Sequence, residues 1–179
     1  MKPVTLRGKR IILRPLRMSD TKVLWKYIND PDISRYLGAD PPISLKEERA
    51  FVSKSIKDWK SGDELVWGVE HKIFKRLIGT CALHLVRKHD RATFGLWMAK
   101  EFHGIGLGKE MATLALDFGF RRLRLNRIEY DVFTQNKASK ALIESLGGKY
   151  EGKCRQEIKK GSKYYDDYIY SILRKEWKK

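Results

Sequence analysis

The sequence predicts one α+β domain that spans residues 1–179. The first observation is the order of the local patterns: strand, two helices, a three-stranded meander, helix, strand, helix and a closing hairpin. The second is the length of 179 residues, which suits a single sizeable hydrophobic core. The third is that the sequence contains no linker-like, repetitive or low-complexity tract that would divide it into separate units.

The first elements are a pair of short strands and a helix. Residues 4–14 have strand-type alternation with a turn in the middle. Ser19 and Asp20 then cap a helix whose apolar stripe stops at Asn29. Residues 32–42 predict a loop or a short helical turn.

A second helix and a meander follow. Ser44 and Glu47 form a capping-box pattern, and Gly62 marks the end of the helix that they open. The meander consists of strands at about 64–71 and 77–87 and a third strand that ends at Met98.

The second half of the chain begins with a helix whose apolar residues recur at i, i+3, i+4 and i+7. These residues are Met111, Leu114, Ala115 and Phe118. The remaining predicted elements are a strand over 128–133, a helix over 136–146 and a hairpin of strands 150–159 and 164–173.

Three glycines at alternate positions connect the third meander strand to this helix. They are Gly104, Gly106 and Gly108. Glycines at such a junction allow backbone N–H groups to point outward together at a helix N-terminus, where the helix dipole is positive. The junction therefore predicts a binding site for a phosphate or diphosphate.

Two common phosphate-binding motifs do not fit. A dinucleotide-binding fingerprint requires a third glycine at the position of Lys109. A P-loop ending at Gly108 and Lys109 requires a glycine at His103 and a Ser or Thr at Glu110. The pattern that remains is (basic or Gln)-x-x-Gly-x-Gly, in which x is any residue.

This pattern, with His103, Gly106 and Gly108 as its fixed points, resembles the pyrophosphate-binding motif of the GNAT N-acetyltransferases. His103 departs from the usual Arg or Gln of that family. The resemblance covers nearly the whole chain, because the order of elements is also that of the family. Segments 10–16, 30–37 and 165–171 resemble its RimJ/RimL branch, whose members acetylate the N-terminal α-amine of ribosomal proteins and whose relatives act on polyamines and other small amines.

The resemblance implies a GNAT fold, with a mixed, mostly antiparallel sheet flanked by helices and a splayed strand pair that binds CoA. It implies acetyl-CoA as the cosubstrate. The main chain of Met98 and Ala99 would pair with the pantetheine arm, and the Met98 N–H would bind the acetyl oxygen. The pyrophosphate would be held by the backbone of the loop and first helical turn, residues His103, Gly104, Ile105, Gly106, Leu107, Gly108 and Lys109.

A second group of site residues follows the strand over 128–133. Asn136 and Ser139 at a helix start are common capping residues. They also resemble the Asn-x-x-Ser of the branch, which implies that the Asn136 amide binds the pantetheine and that Ser139 protonates or hydrogen-bonds the leaving thiolate. Many family members use a Tyr one turn later, but that position is Ile143, which cannot donate a proton.

No carboxylate stands out as a general base. Glu101, Glu129 and Asp131 are unranked candidates, and each is more typical of a solvated or ion-paired residue. An α-amine with a pKa of about 8 is roughly one-tenth neutral at pH 7, whereas a lysine amine with a pKa of about 10.4 is almost fully charged. A site without a strong base therefore favours a peptide N-terminus over lysine.

The composition is strongly basic, with 38 Lys and Arg against 22 Asp and Glu and a net charge of +16. Such a surface favours docking on RNA or the ribosome, although a merely solvated, Lys-rich surface explains the composition equally well. A polycationic acceptor would be repelled. Cys81 and Cys154 are expected to be small buried residues, and the four histidines show no metal-ligand spacing, so no metal is expected.

No apolar run reaches the roughly 20 residues of a membrane helix, and the first residues lack a signal-peptide pattern. We therefore expect a cytoplasmic protein without membrane contact. Either a monomer or a homodimer is expected.

The predicted function is acetyl transfer to a protein N-terminus in a ternary complex. The alternatives are acetylation of a small amine, such as an amino sugar or polyamine, and a non-catalytic RNA-binding module. Acceptor recognition is expected from the first two helices with their connecting loop, which carries Arg35, Tyr36 and Leu37, and from the closing hairpin near Tyr164. A packed loop residue is the alternative, and the more common, role for Tyr36.

Overall fold

An eight-stranded mixed sheet forms the centre of the computed structural model, which describes residues 1–38, 40–42 and 44–178. The spatial order of the strands is β1-β2-β3-β4-β5-β6-β8-β7. All neighbouring strands are antiparallel except β5 and β6, which are parallel. The bounds are β1 Leu6–Arg7, β2 Ile11–Pro15, β3 Glu64–His71, β4 Arg76–Val86, β5 Arg91–Met98, β6 Arg127–Phe133, β7 Lys149–Lys160 and β8 Lys163–Leu173. The predicted mixed, mostly antiparallel sheet is confirmed.

Five α-helices flank the sheet in the described part of the chain. They are α1 Thr21–Ile28, α2 Pro31–Ser34, α3 Leu45–Ser61, α4 Leu107–Asp117 and α5 Lys137–Ser145. The Ser44 hydroxyl caps α3 by accepting the Glu47 N–H at 3.3 Å, and Gly62 ends it in the left-handed conformation with φ 77°. The segment predicted as a loop or helical turn contains α2, and its Ala39 lies outside the described residues.

Apolar clusters lie on both faces of the sheet. On one face, α4 packs its buried residues Leu107, Met111, Ala112, Ala115 and Leu116 against the largest cluster. Met111 and Ala115 belong to the predicted stripe, whereas its Leu114 is only half-buried. On the other face, Leu24 of α1 and Val52 of α3 cover Val66 and Leu77. Among the described residues, no helix is both long and apolar enough to cross a membrane.

The two cysteines differ in exposure. Cys81 is 1% exposed in the core, and burial raises the pKa of its thiol. Cys154 is only half-buried on β7, so its prediction as a buried residue was wrong. The reason is its place in the sheet: β7 is an edge strand, and none of its residues is buried.

The parallel pair β5 and β6 separates after three residues. Its register extends from Arg91 opposite Arg127 to Thr93 opposite Glu129 and ends there. Both strands continue, β5 to Met98 and β6 to Phe133, but they are no longer paired with each other. The sheet therefore opens toward the ends of these strands and leaves one edge of β5 uncovered.

The open edge presents the main chain of Met98. Met98 lies opposite Gly79 on β4, and the next residue, Ala99, donates its N–H to the Ile78 carbonyl oxygen at 2.7 Å. This pattern makes Gly79 and Met98 a non-hydrogen-bonded pair, whose own N–H and C=O groups face away from the partner strand. The Met98 N–H therefore faces the gap between β5 and β6.

Candidate active site

A cavity of about 550 Å³ lies at the open end of the sheet. Four segments line it: α2 with the loop that follows it, the end of β5, the glycine loop with the start of α4, and the start of α5. Eight predicted site residues are among the lining residues: Met98, His103, Gly104, Gly106, Gly108, Lys109, Asn136 and Ser139. Of the other three, Ala99 and Leu107 are fully buried and Ile105 is exposed beside the cavity.

Two of the three glycines in the glycine loop have a backbone conformation that requires glycine. Gly104 has φ 76° and Gly106 has φ 82°, in the left-handed region that side chains disfavour. Gly108 lies in the first turn of α4, where an added Cβ would meet Leu142 Cδ2 at an ordinary 3.7 Å. The conformational requirement for glycine therefore holds at Gly104 and Gly106 and not at Gly108.

The start of α4 offers a set of backbone donors. Gly106 is the N-cap, and Glu110 N–H makes the first helical bond, to the Gly106 carbonyl oxygen at 3.2 Å. The N–H groups of the four residues from Gly106 to Lys109 have no acceptor within the helix. They lie at the positive end of the helix dipole beside the cavity, so an anionic group is favoured there.

The His103 side chain contacts the end of β5. Its Nε2 lies 2.7 Å from the Met98 carbonyl oxygen. Because a carbonyl oxygen only accepts hydrogen bonds, Nε2 is the protonated ring nitrogen in this contact. The imidazole thus joins the glycine loop to the end of β5, and the sequence motif did not predict this side-chain contact.

Asn136 and Ser139 lie at the start of α5. Asn136 Oδ1 accepts the Ser139 N–H at 3.1 Å, so Asn136 is the cap of this helix. This bond uses the amide oxygen and leaves the Nδ2 hydrogens available. The half-buried Ser139 hydroxyl has no hydrogen-bond partner among the described residues. Leu142 lines the cavity one turn later, whereas Ile143 is buried in the core.

The three candidate bases lie outside this cavity. Glu129 is paired with Arg91 and Arg127, and together with Asp131 it lines a second cavity of about 390 Å³. Glu101 accepts a hydrogen bond from the Tyr27 hydroxyl at 3.2 Å.

Asp32 is the one carboxylate among the described residues that line the main cavity. It is paired with Lys100 and Arg35. The hydrogen bond from Lys100 lowers the pKa of Asp32. As far as the structure describes the chain, the cavity therefore has no unpaired carboxylate.

The closing hairpin holds the loop after α2 in place. Lys160 at the end of β7 donates from Nζ to the carbonyl oxygens of Ser34 at 2.5 Å and Leu37 at 3.0 Å. Between these carbonyls, Tyr36 lines the cavity and packs edge-on against Phe133 with ring centroids 6.0 Å apart. Burial lowers the pKa of the Lys160 ammonium, and the charge of Asp40 partly offsets this. The predicted acceptor residues Arg35, Tyr36 and Leu37 all line the cavity, but Tyr164 does not.

The sheet that opens beside the N-terminus of α4 agrees with the splayed strand pair and pyrophosphate loop that the family resemblance implies. The sequence model of the acetyltransferase (GNAT) domain matches residues 10–149. The chain belongs to this family, and it is an acetyl-CoA-dependent N-acetyltransferase.

Curated relatives match over almost their full lengths. The uncharacterized N-acetyltransferase YoaA of Bacillus subtilis is 30% identical over 170 residues, which are 94% of this chain and 96% of YoaA. The uncharacterized N-acetyltransferase p20 of Bacillus licheniformis is 30% identical over 175 residues, which are 97% of this chain and 98% of p20. The spermidine N(1)-acetyltransferase of Vibrio cholerae is 27% identical over 171 residues, which are 95% of this chain and 96% of that enzyme.

Solved structures show the same fold. The Vibrio cholerae spermidine N-acetyltransferase, in complex with CoA and spermine, superposes with a TM-score of 0.84 at 27% identity and covers 94% of this chain and 98% of its own. RimL, a ribosomal L7/L12 α-N-protein acetyltransferase, superposes with a TM-score of 0.87 at 19% identity and covers 96% of this chain and 94% of its own. At that identity the likeness to RimL concerns the fold alone.

Proposed function

We propose that the protein transfers the acetyl group of acetyl-CoA to the α-amine of a protein N-terminus by direct attack in a ternary complex. The observation that carries the proposal is the lack of an unpaired carboxylate among the described residues of the cavity. An α-amine needs little help to lose its proton near neutral pH, because its pKa is about 8, whereas a lysine amine with a pKa of about 10.4 needs a base.

The part of the cavity formed by the glycine loop, the start of α4 and the end of β5 fits a diphosphate and an extended thioester arm. The four N–H groups from Gly106 to Lys109, with the preceding Gly104 and Ile105 backbone, would hold the diphosphate, and the Lys109 ammonium adds positive charge. The free edge of β5 at Met98 would pair with an amide group of the arm. The predicted pairing of Ala99 does not fit, because its N–H is bonded to the Ile78 carbonyl oxygen and its carbonyl oxygen accepts the Phe102 N–H. Acetyl-CoA supplies the activated thioester, and the residues of the chain orient it and exclude water.

Two hydrogen-bond donors of the chain could assist the transfer of the acetyl group. The Met98 N–H, which faces the gap, would bind the acetyl oxygen as negative charge develops on it. The attacking nitrogen would lose its proton to the Ser139 hydroxyl, directly or through water, as Ser139 passes its own proton to the departing thiolate, so the hydroxyl ends the step neutral. Asn136 Nδ2 would hold the arm beside it. His103 keeps the Met98 carbonyl fixed and in this way helps to position the end of β5.

Acetylation of a small amine is the second candidate. The relationship to spermidine N(1)-acetyltransferases at 27% identity favours it. The net charge of +16 opposes a polycation as the acceptor, because like charges repel at long range. The same charge would assist docking on the ribosome or RNA, where a nascent or ribosomal N-terminus is presented. Membership of an enzyme family argues against the third hypothesis, a non-catalytic RNA-binding module.

An acceptor screen tests the proposal. Release of the CoA thiol is measured with a peptide that starts with Ser or Ala and contains one lysine, with the same peptide blocked at its N-terminus, with spermidine and with an amino sugar. We expect steady turnover with the free peptide and none with the blocked peptide, because only the α-amine is sufficiently neutral. Turnover confined to spermidine or the amino sugar would contradict the proposed acceptor and support the second candidate.

The loop after α2, which Lys160 holds in place, should influence the binding of the acceptor peptide and not the binding of acetyl-CoA. Replacing Lys160 by Met removes both hydrogen bonds to the Ser34 and Leu37 carbonyls. We expect the KM for the peptide to rise about tenfold, which corresponds to about 1.4 kcal/mol of acceptor binding lost when the loop is no longer held in place. The KM for acetyl-CoA should stay within about twofold. Lys163→Met is the matched control on the same hairpin, and an equal rise of both KM values in K160M would refute this role.

A further inference from the structure

Arg10 makes contacts with the glycine loop from outside the cavity. It precedes β2, and its Nη1 donates to the Ile105 carbonyl oxygen at 2.7 Å. A Cβ added to Gly106 would lie 3.4 Å from Arg10 Nη2, so the guanidinium lies directly against Gly106. The two segments are 95 residues apart in sequence.

This contact fixes the orientation of one peptide group. In a trans peptide, the carbonyl of one residue and the N–H of the next point in opposite directions. The Ile105 carbonyl points to Arg10, so the Gly106 N–H points away from Arg10. Gly106 itself lines the cavity, and its φ of 82° lets the chain turn at this peptide. The arginine thus holds the loop in the orientation that directs an N–H group outward for a ligand.

Glu110 holds the arginine in turn. Its Oε2 accepts from Arg10 Nε at 3.0 Å, and its Oε1 accepts from the Arg10 N–H at 2.7 Å and the Ile11 N–H at 3.4 Å. Burial raises the pKa of Glu110, but the hydrogen bonds from Arg10 and Ile11 and the Arg10 charge outweigh it, so the pKa lies below its ordinary value. The first turn of α4 is therefore tied to the beginning of β2 by an ionised carboxylate.

We propose that Arg10, held by Glu110, is a positioning residue for the diphosphate of acetyl-CoA, and that it acts by fixing the Ile105–Gly106 peptide. The inference rests on the proposed role of the glycine loop. The planar guanidinium presents donors in a fixed fork and so spans the Ile105 carbonyl and the Glu110 carboxylate at once, which a lysine ammonium on a flexible stem does less well.

The test compares two acyl donors. Acetyl-CoA carries the diphosphate, whereas S-acetyl-pantetheine has the same thioester arm without it. For Arg10→Met we expect the KM for acetyl-CoA to rise about tenfold to a hundredfold, the range for a lost hydrogen bond from a charged group. The kcat/KM for S-acetyl-pantetheine should stay within about threefold of the wild-type value. Arg7→Met, an exposed arginine on β1, is the matched control for lost charge.

Two further variants keep the test decisive where R10M folds poorly. Arg10→Lys retains the charge and should recover only part of the loss, and Glu110→Gln should reproduce part of the R10M effect on acetyl-CoA alone. Complete recovery in R10K would overturn the inference, because charge alone would then suffice. An equal loss with both donors would overturn it too, since a general structural defect affects both. If the wild-type protein turns over acetyl-CoA and R10M has an unchanged KM for it, only the role of Arg10 is refuted. A wild-type preference for S-acetyl-pantetheine over acetyl-CoA refutes the role of the loop itself.

Discussion

Replacement of Gly106 by Asp is expected to abolish acetyl-CoA binding. Gly106 has φ 82°, a conformation that costs a side-chain-bearing residue roughly 1–2 kcal/mol. A carboxylate there would also compete for Arg10 and repel a diphosphate at the start of α4. We expect a rise in Kd of at least about a thousandfold, more than 4 kcal/mol of binding free energy.

Thermal unfolding with and without CoA measures this effect. A ligand that binds only the folded state raises the melting temperature, and the rise disappears when binding is lost. Gly106→Ala separates backbone strain from charge, and it should lower the melting temperature and weaken binding only partly. Gly108→Ala should fold normally, because its Cβ would meet Leu142 at an ordinary distance. Undiminished stabilisation of G106D by CoA would show that the diphosphate does not lie at this loop.

Replacement of Ser139 by Ala should lower turnover by about a hundredfold and change the KM for acetyl-CoA little. The hydroxyl is the proposed proton donor to the thiolate, and proton transfer by a positioned group contributes at least about that factor. The substitution should not disturb the helix, because Asn136 caps α5 through the Ser139 backbone N–H. Steady-state kinetics with saturating peptide measure the split between kcat and KM.

A second serine on the same helix provides the control. Ser145 donates its hydroxyl to the Leu142 carbonyl oxygen and is exposed, so Ser145→Ala should leave turnover unchanged. An unchanged kcat in S139A would remove Ser139 from the mechanism. An equal loss in both variants would indicate damage to the helix.

Local patterns predicted the elements well because their causes are local. Of the predicted stripe, Met111 and Ala115 are buried in α4, Phe118 is buried just beyond its end and Leu114 is half-buried. Ser44 and Gly62 marked the two ends of α3. The left-handed Gly104 and Gly106 follow from the same kind of local reasoning. Their meeting with Asn136 and Ser139 in one cavity was inferred through the family resemblance, which supplied the topology that local patterns lack.

The contacts that reinforce the site could not be predicted, because they join distant segments. Lys160 reaches the Ser34 carbonyl across 126 residues, and Arg10 reaches Glu110 across 100. No local pattern distinguishes either residue from the many other basic residues of the chain. Similarly, strand alternation places Glu129 and Asp131 on one face of β6, but only the packed sheet shows that this face lines the second cavity.

We infer that the N–H groups at the start of α4 bind the diphosphate of acetyl-CoA. The most direct test is a crystal structure of the protein with CoA. We expect diphosphate oxygens within about 3 Å of the backbone nitrogens between Gly106 and Lys109, with the sulfur near the Ser139 hydroxyl. A diphosphate bound elsewhere, with these N–H groups turned toward the protein interior, would contradict it.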